Sequence, residues 1–177
     1  MNTKKILVTF FSRTGENYEV GYIRKGNTQI IAEMIGEKTG GTLFHIRTED
    51  PYPDNYISCI DIAKSEMRIK ARPAIKGDIE IENYDIIFLG YPNWWGDMPM
   101  AVYTFIEKHN WQGKTVIPFC THEGSGLGNT EGKVKNACKG ATVIKGLAVR
   151  GYAAQHQQDQ TRKTVDDWLN KLDIADL

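Results

Sequence analysis

The sequence predicts an α/β fold: a doubly wound, five-stranded parallel sheet covered on both faces, a three-layer sandwich. Five short runs rich in Val, Ile, Leu and Phe alternate with stretches whose apolar residues recur at helical spacing. The short runs are almost continuously apolar, the pattern of strands buried on both faces. Neither an internal repeat nor a low-complexity linker divides the chain, so residues 1–177 read as one domain.

The first strand is expected at residues 5–11 (KILVTFF). A helix follows at 28–38, where Ile30, Ile31, Met34 and Ile35 share a face, and Gly40-Gly41 ends it. Residues 42–46 (TLFHI) form the second strand. Pro51 and Pro53 mark a loop, and Asp54 is placed to cap a helix running to residue 70. The third strand is 84–90 (YDIIFLG), and the next helix is 100–108, with Pro99 suited to its first turn. The fourth strand is 114–120 (KTVIPFC), followed by a helix at 129–139. An uninterrupted fifth strand at 142–149 and a helix at 159–172 complete the pattern.

Lys and Arg total 22, as do Asp and Glu, so the net charge is zero. Nucleic-acid binders carry a basic excess or a basic cluster, and neither is visible here. No polybasic stretch accompanies an apolar helix, and no apolar run approaches the roughly 18–20 residues that span a bilayer. Met1 to Lys5 lead into an apolar run too short for a signal-peptide core, so a cytoplasmic protein is expected. Cys59, Cys120 and Cys138 are scattered and form no C-x-x-C pair, so redox chemistry would need a borrowed cofactor.

Three loops at strand ends carry chemistry. Ser12-Arg13-Thr14-Gly15 follows the first strand, and Gly26-Asn27-Thr28 opens the first helix. Hydroxyls and free N–H groups at a helix N-terminus suit an anion, and Asn27 or Thr28 is placed to cap the helix or donate to a ligand. Each of these residues also suits an ordinary turn; the cluster favours a phosphate. Gly21 to Thr28 nearly fits a P-loop, but Asn27 stands where the lysine belongs, and G-x-G-x-x-G is absent. A single phosphate is therefore expected.

The loop after the third strand, Gly90 to Asp97, holds the adjacent Trp94 and Trp95. Surface loops give two tryptophans little core to fill, so one is expected to pack inward, near Met98 and Pro99, and the other to meet a planar ligand. The loop after the fourth strand runs Thr121-His122-Glu123-Gly124-Ser125-Gly126-Leu127-Gly128. Its glycines let backbone approach a ligand closely. Its Gly-Ser-Gly lacks the flanks of a nucleophile elbow. Cys120 and His122 have no further ligands at metal spacing, so no metal is expected. His45 and His109 read as structural or solvent-facing, and Trp111 and Trp168 as packing.

These loops, in this order, resemble the flavodoxin family over nearly the whole chain. Ser12-Arg13-Thr14-Gly15 and then Gly26-Asn27-Thr28 look like that family's phosphate loop, split by an insertion at residues 16–25. The resemblance implies a flavodoxin-like sheet of order 2-1-3-4-5 with non-covalently bound FMN. It implies that Ser12, Thr14, Asn27 and Thr28 hold the phosphate, with Arg13 adding charge. Pro92, Asn93, Trp94, Trp95 and Gly96 would meet one side of the flavin ring. Thr121, His122, Gly124, Ser125 and Gly126 would hold its other edge. Three features depart from the family pattern: the insertion, the neutral charge, and a fourth-strand loop with no Tyr or Trp to cover the flavin, His122 being nearest.

The expected function is electron transfer through FMN to a redox partner protein or small acceptor. The alternative is an NAD(P)H-dependent quinone or flavin oxidoreductase using FMN for hydride transfer, with His122 and Tyr91 as proton donors by position. A homodimer is compatible with either. A non-flavin signalling domain on the same fold fits less well: a phosphoacceptor domain wants acidic residues where Phe10-Phe11-Ser12 stand.

Overall fold

A computed structural model describes residues 4–174 and 177. The reading of the extreme N-terminus rests partly on residues 1–3, which lie outside the described residues. In chain order the elements are β1 (Ile6–Phe11), β2 (Gly15–Asn17), β3 (Gly21–Ile23), α1 (Asn27–Thr39) and β4 (Thr42–Ile46). Then come α2 (Tyr56–Ile69), a 3₁₀ turn (Ile81–Asn83), β5 (Ile86–Pro92), α3 (Met100–Glu107) and β6 (Thr115–His122). The chain continues through α4 (Thr130–Ala137), β7 (Thr142–Val143), β8 (Leu147–Arg150), α5 (Gly151–His156) and α6 (Gln158–Leu172).

The main sheet runs β4-β1-β5-β6, with β7 and β8 following one another along the far edge of β6. Every pair in it is parallel. Counting β7 and β8 as two pieces of one strand gives the order 2-1-3-4-5, the flavodoxin-like fold. Successive strand residues point to opposite faces. Leu7, Ile87, Leu89 and Val116 pack on one side with Phe105 of α3. Val8, Ile86, Phe88 and Ile117 pack on the other with Ile31 and Ile35 of α1 and Val165 and Leu169 of α6. Both sets are buried, which is why the strands read as unbroken apolar runs.

The structure departs from the expected elements in three places. Residues 16–25 contribute to a small antiparallel hairpin, β2 with β3, standing outside the main sheet. The cap of α2 is Asn55 rather than Asp54: its side-chain oxygen accepts from Ser58 N at 2.9 Å.

The fifth strand is broken at residues 144–146. Val116 accepts from Ile144 N at 2.9 Å, so the next β6 residue facing that edge is Pro118, which has no N–H to give. Pairing resumes at Leu147 opposite Phe119. Gly146 crosses the Pro118 carbonyl so closely that a Cβ would lie 2.1 Å from its oxygen.

Another close approach lies in the sheet centre. A Cβ on Gly90 would sit 2.2 Å from the Phe119 ring. Gly90→Ala is therefore expected to overpack the core and cost about 1–3 kcal/mol. Urea unfolding should show a lower midpoint with an unchanged slope.

Candidate functional site

The chemistry gathers at the carboxyl ends of β1, β5 and β6. Ser12 directly follows β1, and its Oγ accepts from Gln29 N at 3.0 Å. The N-cap of α1 is Gly26, which has no side chain for the task. A Cβ there would lie 2.1 Å from Ser12 Oγ. Ser12 thus does from the sheet what a capping side chain would do from the helix, and neither Asn27 nor Thr28 caps. Thr28 is buried and its Oγ1 shares a hydrogen bond with Thr121 Oγ1 at 2.8 Å, tying α1 to β6. Asn27 Oδ1 accepts from Gln155 Nε2 at 2.8 Å.

Arg13 is a fastener. Its guanidinium donates to the carbonyls of Pro53 (2.6 Å) and Asp54 (2.9 Å) and to that of Glu16. Its Nε is buried with no hydrogen-bond partner. The hairpin is fixed to α2 by Glu16, whose N donates to Asp54 O at 2.8 Å. Its carboxylate accepts from Tyr56 N at 2.9 Å, the favourable place for an anion at a helix N-terminus.

After β5 the chain reverses in a tight turn. Trp94 and Asp97 exchange backbone hydrogen bonds at 2.9 and 3.1 Å. Trp95 (φ 51°) and Gly96 (φ 74°) both take the left-handed conformation. Glycine adopts it freely; tryptophan does so at a cost, a mark of functional loops. Asn93 Oδ1 accepts from Gly96 N, and its Nδ2 donates to Gly126 O, each at 2.8 Å, so one side chain joins the β5 and β6 loops. Asp97 accepts from Tyr103 OH and pairs with Lys133, both at 2.7 Å, bracing the turn on α3 and α4. Trp94 packs edge-on against Phe11 (5.4 Å) and Tyr52 (5.5 Å), against the core cluster that also contains Met98. Trp95 stays 47% exposed, with Lys64 Nζ 5.5 Å from its ring.

These loops enclose a cavity of about 300 Å³. Of the residues expected from sequence, Arg13, Asn27, Pro92, Asn93, Trp94, Trp95, Thr121, His122 and Ser125 line it. Ser12 and Thr14 face a neighbouring cavity instead. Thr28 is buried beneath the loops, and Gly96, Gly124 and Gly126 shape loop backbone without lining the cavity. Tyr91 is core, its hydroxyl donating to Thr130 Oγ1 at 2.9 Å, and does not serve as a proton donor in the cavity.

Sequence reasoning missed Asn17 and Tyr18 of the hairpin region, Tyr56, Cys59, Ile60 and Ala63 of α2, and Glu123. Tyr18 and Tyr56 lie 6.3 Å apart between ring centroids. The available signal was an insertion holding Asn17, Tyr18 and Tyr22 directly after Ser12-Arg13-Thr14-Gly15.

His122 Nδ1 accepts from Gly124 N at 2.9 Å, so the neutral ring carries its proton on Nε2. Burial and then Arg150 lower its pKa, favouring that neutral form. Burial raises the Glu123 pKa against the opposing pull of Tyr152 N and Arg150. Burial likewise raises the Cys59 thiol pKa, leaving little reactive thiolate. A larger groove of about 690 Å³ shares only Asp97 with these loops, and its principal ions are mutually paired, Arg72 with Glu107 and Lys133 with Asp97. Among the described residues no group of three or more His, Cys, Asp and Glu is placed to hold a metal. Nor is any helix among them long and apolar enough to cross a membrane.

Fold and site together define a doubly wound α/β protein with a cavity at the carboxyl ends of the strands, the place where this class of sheet binds ligands. Within that class the chain belongs to the flavodoxin family, whose model, described as Flavodoxin, matches residues 5–172. A candidate flavoprotein of Bacteroides eggerthii is 34% identical, over 89% of this chain and 97% of that one, with a TM-score of 0.70. A Lactobacillus acidophilus flavoprotein in complex with FMN is similar in fold: 24% identity, 88% and 98% coverage, TM-score 0.67. So is a Fusobacterium nucleatum flavodoxin bound to flavin mononucleotide: 16% identity, 96% and 97% coverage, TM-score 0.58. No curated protein matches the chain.

The Thr28–Thr121 clasp allows a direct test of its structural role. Thr28→Val or Thr121→Val alone strands a buried hydroxyl and should cost about 1–3 kcal/mol. The double variant should be less destabilised than the two single effects summed, a coupling readable in a denaturation cycle.

Proposed function

We propose that the chain binds FMN non-covalently in the 300 Å³ cavity and serves as a flavodoxin-type electron-transfer protein. One observation carries this reading: the cavity joins aromatic walls, Trp94, Trp95, Tyr18 and Tyr56, to the polar groups of Arg13, Asn17 and Asn27 beside the start of α1. A ligand with a flat apolar ring and an anionic tail needs that combination. Two structures of similar fold are FMN complexes, which supports the same assignment.

The donor set fits. The buried Arg13 Nε lacks a partner and supplies positive charge. Glu123 opposes an anion, but Tyr152 N engages one of its oxygens at 2.7 Å, and burial favours its protonated form. Arg13, Asn17 and Asn27 would hold the phosphate and ribityl hydroxyls, and Trp94 and Trp95 the ring. Bound FMN supplies reversible uptake of electrons. The protein's part is orientation and exclusion of water. Asn93 locks the two ring-flanking loops together. His122 offers a single Nε2–H donor from a neutral ring.

A second reading is favoured by zero net charge and by the half-exposed Trp95. A neutral protein lacks the field that steers a charged redox partner, and an open ring edge admits a small acceptor. On this reading the chain is an NAD(P)H-dependent reductase of quinones or flavins.

Purified protein is expected to be yellow, or to bind added FMN saturably by calorimetry. A colourless, folded sample that gives no binding heat overturns the assignment. Trp95→Ala should leave stability nearly unchanged and weaken FMN by roughly 5- to 150-fold, the value of one aromatic stack. Mixing the FMN-loaded protein with NADPH separates the two readings: rapid loss of flavin absorbance supports the reductase, and none supports the carrier.

A further inference from the structure

The groove of about 690 Å³ is walled by α3 and the residues after it on one side and by α4 on the other. Its hydrogen-bonding groups are unequally spent. We propose that it is a binding site for a small organic carboxylate with an apolar body, separate from the flavin cavity.

The acceptors in the groove are used up. Asp97 Oδ1 accepts from Met98 N and from Tyr103 OH, each at 2.7 Å, and its Oδ2 pairs with Lys133 at 2.7 Å. Glu107 takes Arg72 with both oxygens, from Nε at 2.9 Å and from Nη2 at 2.8 Å. The remaining Arg72 nitrogen, Nη1, donates to the carbonyls of Lys70 and Ala71. The guanidinium also lies 5.0 Å from the centre of the Tyr103 ring. Both carboxylates and the arginine are thus committed to the protein.

Donors are left over. Lys139 is exposed and, among the described residues, makes no ion pair. Asn110 Oδ1 is taken by Gln112 N at 3.0 Å, which leaves its amide N–H groups as the end that can meet a ligand. Lys133 spends on Asp97 one of the three N–H groups that an ammonium carries. Free donors beside saturated acceptors suit an anion. One unpaired ammonium balances one negative charge. A phosphate would want an open guanidinium fork, and the fork here is closed on Glu107.

The same groove has an apolar side. Ile106 and Trp111 are buried at its base. Trp111 Nε1 donates to Ile106 O at 2.7 Å, so the indole's polar group is already satisfied. A cavity of this volume falls within the roughly 300–1,000 Å³ range of small-molecule sites, which combine apolar walls with a few polar groups. Asp97 joins the groove to the tryptophan turn: its backbone closes that turn on Trp94, and its side chain holds Lys133. A carboxylate reaching Lys133 competes with Asp97 for it, so occupancy is felt at residues 94–97.

The test is an NMR titration of the full chain without FMN. The probes are benzoate, acetate, which has the charge alone, and benzamide, which has the ring alone. The expected result is saturable shifts with benzoate at residues 103–111 and 133–139, and smaller ones at 94–97. Acetate and benzamide should bind more weakly. Lys139→Gln should weaken benzoate roughly 2- to 5-fold, the value of one exposed ion pair. Raising sodium chloride should weaken it as well.

Acetate or benzamide binding as tightly as benzoate overturns the proposal. So does the absence of saturable shifts in the groove, or a benzoate affinity that neither Lys139→Gln nor salt changes. The titration contains no flavin, so this assignment and that of the flavin cavity fail separately.

Discussion

Parallel pairing buried on both faces is the constraint from which the rest follows. Every strand of the main sheet runs the same way, so all its carboxyl ends fall on one edge. Burial on both sides leaves almost no room for polar groups within the strands. Where a hydroxyl is buried there it is usually paired, as Thr121 is with Thr28 and Tyr91 with Thr130; Thr9 is fully buried with no partner. Polar chemistry is driven to the strand ends, where Ser12, Asn93 and His122 stand. The cavity is where it is because the sheet permits it nowhere else.

Loops at a strand edge must be made rigid before they can bind anything tightly, and many of the polar side chains here are spent on that. Ser12 caps α1, Thr28 clasps Thr121, and Asn93 joins two loops. Arg13 holds the 53–54 backbone and the hairpin. Asp97 braces the tryptophan turn on two helices. The cavity's free polar groups are therefore fewer than the motif suggests. The gain is preorganisation: a ligand entering the cavity need not also order the loops.

Elements set by their own residues were legible in the sequence. The strands β1 and β4 fell within the apolar runs, and β5 and β6 overlapped theirs while running two residues further, because both faces bury the same kind of side chain. Features set by a neighbour were not. The break in the fifth strand is caused by Pro118 in the strand beside it, and nothing in residues 142–149 announces it. The choice of Asn55 over Asp54 turns on one residue of backbone phase. Which tryptophan faces inward depends on the left-handed turn at Trp95 and Gly96, a matter of backbone rather than composition. The hairpin at residues 15–23 is too short to show a periodicity, and it is held by contacts with residues about 40 positions away. The cavity's outer aromatic wall was hidden for that reason.

The flavin cavity and the neighbouring one beside β4 share a wall, and Arg13 belongs to both linings. Its carbonyl contacts fix where the guanidinium lies, so no ligand on either side can draw it away without loosening the 53–54 loop and the hairpin together. An anion on either side would then meet the same immobile charge. Of the two cavities, Arg47 and Lys76 line only the one beside β4, and Asn17 and Asn27 only the one beneath the tryptophan turn. The position of the Arg13 charge is thus decided by the carbonyls of residues 16, 53 and 54 and not by what enters either cavity.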